Sequence, residues 1–176
     1  WDIKRLYLAF DVSSYASGYT ITDLKLYYKP TTSGTGVLKI AIIKSTAQGD
    51  ADADLATSDY YTPLDYSVDY ADNDGTDIWA DSTTLSYFDL NSTAISAFTN
   101  SYLKLAVIEY VHDYNNTAPT LTTNWQGYNN FSTTVPYLSF TATATGYTND
   151  IIGVSSANID SVEGVATANI SQIIGV

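Results

Sequence analysis

Apolar and polar residues alternate in several short segments of the first 145 residues. In residues 5–12, Leu6, Leu8, Phe10 and Val12 fall on one face of an extended chain. This period of two predicts a β-strand with one buried face. Similar patterns predict further strands in the segments 21–29, 37–44, 83–90 and 133–145.

The segment 101–111 is the most apolar stretch of the chain, and both of its faces are apolar, which predicts a central strand. Before it, Asn91 or Ser92 can cap a single helical turn. Short strands joined by polar loops, without a long amphipathic helix, are typical of all-β domains. We therefore predict an antiparallel, jelly-roll-like β-sandwich over residues 1–146.

Residues 45–82 interrupt this pattern, because they are acidic, aromatic and irregular. A connection of this length is usually functional or mobile, or it contains short strands of its own. The sequence leaves these three alternatives open.

The last 28 residues, 149–176, contain two and a third copies of an eleven-residue unit. Gly153, Gly164 and Gly175 lie eleven residues apart. We call residues 147–176 the repeat arm. Glycine, Ile and Val disfavour a helix, so β or extended structure is the leading prediction, although an eleven-residue period also fits a right-handed helical coil.

The repeat arm is too short to enclose a core of its own, because repeat arrays need about three or more units. Its large apolar residues therefore predict a partner: the chain's own sandwich, sister chains in a trimer or polymer, or another protein. A mobile tail is the remaining alternative. The predicted assembly residues are Ile151, Val154, Ile159, Val162, Val165, Ile170, Ile173 and Val176.

Composition excludes several classes of function. The formal net charge is −12, and none of the seven basic residues lies beyond Lys104, so nucleic-acid binding is not expected. The chain has no Cys, which excludes disulfides and thiol chemistry, and no apolar run approaches the ~20 residues of a membrane span. Sixteen Tyr and few charges are typical of extracellular or virion-surface domains.

The sequence offers no catalytic constellation. His112 is the only histidine, no G-x-S-x-G motif is present, and paired carboxylates occur in loops rather than in an evident cleft. We therefore predict that the protein is not an enzyme and needs no cofactor, with calcium as the one candidate ion. The acidic loop supplies the candidate calcium ligands Asp50, Asp52, Asp54, Asp72 and Asp74.

Aromatic side chains outside the clear strands suggest a second kind of site. Exposed rings stack on sugars and provide rigid contact area. The candidate glycan-binding residues are Trp79, Trp125, Gln126 and Tyr128. The alternative is that these rings pack beneath long loops or against sister subunits.

Two parts of the chain, residues 3–145 and the C-terminal end, resemble known families. The opening "LYLAFDVSSYASGYTITDLKLYY", the segment "YFDLNSTAISAF" and the closing "VPYLSFTATAT" resemble disaggregatase-related (DNRLRE-type) β-sandwich modules over residues 3–145. Arg5 lies one residue early for that pattern, and Tyr15 replaces the usual Ile or Leu. The end "GVATANISQIIGV" is similar to repeats that end marine phage fibre and structural proteins.

Together these resemblances imply a non-catalytic virion component, such as a phage surface, fibre or decoration protein, that self-associates or docks on other virion proteins through the repeat arm. Two alternatives stay open. One is an extracellular carbohydrate-binding adhesion module, and the other is a subunit of a secreted cellular filament whose tail completes a neighbour's sheet.

Overall fold

The computed structural model describes residues 5–28, 30–32, 38–47, 54–60, 64–72, 78–79, 86–118, 128–131, 135–145, 161–162 and 165–166. Within them the chain is an all-β protein with short helical turns. The strands are β1 Leu6–Asp11, β2 Tyr19–Tyr28, β3 Pro30–Thr32, β4 Leu38–Ser45, β5 Leu64–Asp69, β6 Ile78–Trp79, β7 Ser86–Asp89, β8 Tyr102–Glu109, β9 Tyr128–Phe131, β10 Tyr137–Ala144, β11 Ser161–Val162 and β12 Val165–Ala166.

Two antiparallel sheets form the sandwich. Sheet I has the order β1-β8-β4-β5, with β6 also paired to β4, and sheet II has the order β10-β2-β7. The short strands β3 and β9 form a separate pair. This arrangement confirms the predicted antiparallel β-sandwich.

Among the residues that the structure describes, β1 and β5 are the outer strands of sheet I, and β10 and β7 are the outer strands of sheet II.

The main core lies between the two sheets. Leu103, Leu105 and Val107 of β8 face Leu24 and Leu26 of β2, and all five are buried. The apolar faces predicted for the first strands, for β8 and for β10 all belong to this core. Burying these side chains contributes about 1.5–3 kcal/mol each to stability.

Sheet I is buried on its outer face as well. Ala41 and Ile43 of β4 and Ala106 and Ile108 of β8 form a second apolar cluster, and all four are fully buried. Partly buried Tyr7, Leu64, Tyr110 and Tyr114 pack against it. Both faces of β8 were predicted to be buried, whereas the outer face of β4 was not.

The irregular segment 45–82 contains regular structure. The described part includes the 3-10 turn Thr57–Tyr60 and the strands β5 and β6, which pair with opposite ends of β4. The hydroxyl of Tyr7 donates to the carbonyl of Asp59, at 3.1 Å, and so ties the turn to sheet I. Of the alternatives left open, the presence of short strands is confirmed.

Helical turns occupy the connections on both sides of β8. Helix α1 spans Ser92–Ser96 and begins where the Asn91 side chain accepts the N–H groups of Thr93 and Ala94, which confirms a predicted cap. A 3-10 turn, Ala97–Thr99, follows it. After β8, a π-helical turn spans Tyr110–Tyr114. The sequence predicted that the strand continues to residue 111 and that a loop follows it, so the strand ends two residues earlier than predicted. No helix in the described ranges is long and apolar enough to cross a membrane.

Candidate assembly surface

Four of the longer strands lie at sheet edges, and only one of them has no charged residue. Strand β1 ends in Asp11, β5 contains Asp65 and Asp69, and β7 ends in Asp89. Strand β10, YLSFTATA, is eight residues long, uncharged and free of Pro and Gly. Charges and prolines normally keep edge strands from pairing with other chains. Strand β10 is therefore the least protected edge in the described part of the sandwich.

A bulge lies beside this edge, and it belongs to the inner strand. The β10–β2 register shifts between Ser139, paired with Lys25, and Thr141, paired with Thr22. The extra residue is on β2, where Asp23 has a φ of 52°. A bulge on the edge strand would protect it, whereas this one leaves β10 regular.

Apolar side chains of the edge strands β1 and β10 are less buried than those in the middle of the sheets. Leu8 and Phe10 of β1, together with Leu138, Phe140 and Ala142 of β10, pack on the main core but are only partly buried. We call these five residues the rim. Inward residues in the middle of the sheets are almost fully buried. The rim therefore keeps some apolar surface exposed.

A row of three tyrosines crosses the outer face of sheet II. Tyr137 lies opposite Tyr27, and Tyr27 lies opposite Tyr87. The first two rings are stacked, with centroids 4.9 Å apart, and the next pair lies at 5.3 Å. Tyr137 and Tyr87 are 42% and 51% exposed. We call these residues the tyrosine row.

The two ends of the tyrosine row differ. The ammonium group of Lys25 lies 5.0 Å from the centroid of the Tyr87 ring, and its Nζ is 3.7 Å from a carboxylate oxygen of Asp89. Tyr137 stands at the free edge, with Tyr27 stacked on one side of its ring. Ring stacking across strands depends on register, so the spacing of these residues along the sequence could not reveal the row.

Part of the repeat arm is a minimal β-hairpin. Strands β11 and β12 pair antiparallel, with Val162 opposite Val165 and Ser161 opposite Ala166. Each strand has two residues. These four residues support the β prediction for this part of the arm. The predicted assembly residues Ile151, Val154, Ile159, Ile170, Ile173 and Val176 lie outside the described residues.

The predicted glycan site is described only in part. Trp79 lies in β6 and Tyr128 in β9, whereas Trp125 and Gln126 lie outside the described residues. Strand β6 pairs with β4 of sheet I, and β9 pairs with β3, so the two described positions belong to different strand pairs. The tyrosine row is another aromatic surface with exposed rings in the described residues, and the sequence did not predict it.

The candidate calcium ligands Asp54 and Asp72 are both exposed, and Asp50, Asp52 and Asp74 lie outside the described residues. Among the residues whose placement is described, no group of three or more His, Cys, Asp and Glu residues could hold a metal ion. The calcium site therefore stays a prediction from sequence.

A polar network around the buried carboxylate of Asp113 lies on the outer side of sheet I. Arg5 donates two hydrogen bonds to the carboxylate of Asp113, from Nε and Nη2, each at 2.8 Å. The Tyr66 hydroxyl donates to the same carboxylate at 3.0 Å. The hydrogen bond to Asp113 raises the pKa of Arg5, and burial, followed by the charge of Asp113, raises the pKa of Tyr66 to about 12.

Glu109 holds the backbone turn that carries Asp113. Its carboxylate accepts the backbone N–H groups of Val111, His112 and Asp113. His112 places its Nδ1 3.1 Å from the carbonyl of Thr117. Each side chain of this network therefore has a structural partner, and the network links the residue before β1 to the turn that follows β8.

We compared the chain with protein-family models, curated proteins and solved structures. No protein-family model, curated protein or solved structure matches the chain.

Proposed function

We propose that this protein is a non-enzymatic structural module that self-associates through its C-terminal repeat arm. Its setting is a virion surface, as a phage surface, fibre or decoration component, or another extracellular surface. The resemblances of the sandwich and of the repeat support that setting, and the acidic, cysteine-free composition is compatible with it.

The observation that carries the proposal is the size of the arm's hairpin. Strands of two residues, Ser161–Val162 and Val165–Ala166, are shorter than those of any hairpin expected to be stable alone in water. A repeat of about two units likewise has too little material for its own core. The arm therefore gains stability by contact with another surface.

The test is the mass of the purified protein in solution, with and without residues 149–176. We expect the full chain to form a trimer or larger polymer and the truncated chain to be a monomer with the same β-sheet circular dichroism. A matched control replaces Val162 and Val165 by Ser in the full chain, which keeps the length and charge of the arm. This double variant should also lose association. If the truncated chain associates as the full chain does, the proposal is wrong.

A second function rests on the tyrosine row. Exposed aromatic rings in a line are a common feature of surfaces that bind polysaccharide, and Tyr137 and Tyr87 are the exposed ends of this row. An adhesion module would bind a glycan saturably, and Tyr87→Ala with Tyr137→Ala would abolish that binding without changing the solution mass. Glycan-array binding of the full chain and of this double variant distinguishes the two functions.

The third candidate is a subunit of a secreted cellular filament. It shares the arm-dependent association with the leading proposal but requires open-ended growth, so a closed trimer would exclude it. Negative-stain electron microscopy of the associated protein separates these cases, because a filament has no fixed number of subunits.

A further inference from the structure

We propose that the repeat arm of one copy adds a strand to the free edge of β10 in a second copy. This inference rests on the proposed self-association and names the surface that receives the arm. The acceptor is the outer edge of β10, which has no partner strand among the residues that the structure describes, beside the rim of partly buried apolar residues.

The edge presents a row of backbone groups for pairing. The N–H of Thr145 donates to the carbonyl of Gly18, at 2.8 Å, on the side that faces β2. Amide directions alternate along a strand. The N–H groups of Phe140, Ala142 and Ala144 therefore point away from β2, and the structure describes no backbone partner for them. An added strand would satisfy these groups by β-augmentation.

The rim sets what the donor strand must look like. Its residues facing inward must be apolar, to cover Phe10, Leu138 and Phe140, which are only partly buried. Its residues facing outward should be polar, because Ser139 and Thr141 on the same sheet face are exposed. The donor must also reach across about eight residues, the length of β10.

The repeat arm contains two segments that meet this pattern at their centre, and in the first of them the ends of the inward face are the polar Ser155 and Ser161. In the sequence SSANIDS, residues 155–161, the apolar Ala157 and Ile159 alternate with the polar Asn158 and Asp160. The second unit repeats Ala-Asn-Ile at residues 168–170. Residues 146–160, directly after β10, lie outside the described residues, and they provide enough chain for an eight-residue strand.

The proposed self-association makes a second copy the partner. One β10 edge can accept only one of the two Ala-Asn-Ile segments of an arm. Charge favours this edge over the others, because the arm contains acidic residues and no basic ones, and β10 is the long edge strand without an aspartate to repel it.

A pair of proline variants tests the acceptor. Ala142→Pro removes an N–H that faces the free edge and leaves the hydrogen bonds to β2 in place. The control is Asp89→Pro on β7. The N–H of Leu90 donates to Leu24 on the β2 side, so by alternation the N–H of Asp89 faces the other, outer edge of sheet II. We expect Ala142→Pro to raise the concentration needed for association about tenfold or more, and Asp89→Pro to leave it unchanged.

Engineered cysteines test the contact directly and do not depend on the folding of the proline variants. The natural chain has no Cys, so single substitutions give clean cross-links. Thr141→Cys and Asn158→Cys, carried by two chains with different tags, should form a mixed disulfide on mild oxidation, because Cα atoms of paired strands lie within disulfide range. Tyr87→Cys on β7 should not cross-link to Asn158→Cys.

The outcomes separate this inference from the proposed function. If deletion of residues 149–176 abolishes association but Ala142→Pro does not, and the mixed disulfide does not form, the arm docks elsewhere and only the inference is wrong. If a chain that carries both Thr141→Cys and Asn158→Cys cross-links only within itself, the arm completes its own sandwich and the second copy is excluded. If the deletion leaves association unchanged, both proposals are wrong.

Discussion

Strand β8 in the centre of sheet I and strand β10 at the edge of sheet II are both eight residues long, and their surroundings differ at every position. Strand β8 pairs with β1 and β4, and its residues Leu103–Ile108 are all buried. Among the described strands, β10 pairs with β2 alone, and its inward residues are only partly buried. Strand β8 is therefore covered on both faces and both edges, whereas the described residues cover one face and one edge of β10.

The difference shows that the two sheets contribute differently to the stability of the fold and to its exposed surface. Sheet I carries a second apolar cluster on its outer face, which the turn Tyr110–Tyr114 and strand β5 help to cover. On the outer face of sheet II, the two ends of the tyrosine row, Tyr137 and Tyr87, are exposed. The stable part of the fold is therefore centred on β8, and the surface available for contacts is centred on β10.

The largest expected difference between the two strands is the loss of stability when a leucine is replaced by alanine. Leu105→Ala in β8 should lower the free energy of unfolding by about 2–5 kcal/mol, because Leu105 is fully buried. Leu138→Ala in β10 should cost about 1 kcal/mol, because its side chain is only partly buried and water can fill the space. Urea unfolding of both variants measures the two losses. Equal losses would contradict the view of β10 as an open edge.

The ion pairs of the two sheets offer a second contrast. Asp113→Ala should lower the free energy of unfolding by about 3 kcal/mol, because it leaves the half-buried Arg5 without its bidentate partner. Asp89→Ala, which removes the exposed pair with Lys25 on sheet II, should cost less than about 0.5 kcal/mol. Denaturant unfolding at low and high salt tests both, and only the exposed pair should weaken with salt. A loss below about 1 kcal/mol for Asp113→Ala would show that the network contributes little.

Alkaline pH should weaken the core where the two sheets meet. Burial raises the pKa of Tyr28, on β2, to about 12, so folding favours its neutral form. Its contribution to stability is fully present below the unfolded pKa of about 10 and is lost as pH rises through about 12, by roughly 2–3 kcal/mol in total. Chemical unfolding at pH 9 to 12, compared between the parent and Tyr28→Phe, measures this. The variant should show the shallower decline, and identical slopes would contradict the assignment.

The smallest expected effect lies where the two sheets are joined. Asn91 caps α1 and also donates from its side-chain amide to the carbonyl of Asp69 on sheet I, at 2.9 Å. Asn91→Ala should cost about 1 kcal/mol. Asn91→Ser retains the cap without the amide and should recover most of that loss. If Ser is no better than Ala, the contact with Asp69 rather than the cap provides the stability.

The sequence predicted the strands of the main core because their apolar residues recur with period two. It also contained a signal for the outer cluster of sheet I, since Ile40, Ala41, Ile42 and Ile43 form a continuous apolar run that indicates a strand buried on both faces. The interpretation of that segment as one-sided missed this signal. The apolar run of β8 was interpreted correctly for the same physical reason.

The polar network and the candidate assembly surface could be predicted much less well. Arg5 and Asp113 are 108 residues apart, and no local pattern specifies which carboxylate will meet which guanidinium. The tyrosine row depends on the register of three strands, which a single sequence does not fix. The uncharged segment 137–144 was visible as such, but its place at an edge follows only from the sheet order.

The difference between the two edges of sheet II also affects how an assembly of copies would grow. The edge at β10 is uncharged and eight residues long, and the edge at β7 has four residues and ends in Asp89. An arm that docks on β10 joins two different surfaces, so the contact is heterologous and repeats from subunit to subunit unless the rotation closes a ring. Every open assembly would then have a polarity, with an unoccupied edge at one end and a free arm at the other. A chain lacking its arm would bind to one end only and stop elongation there.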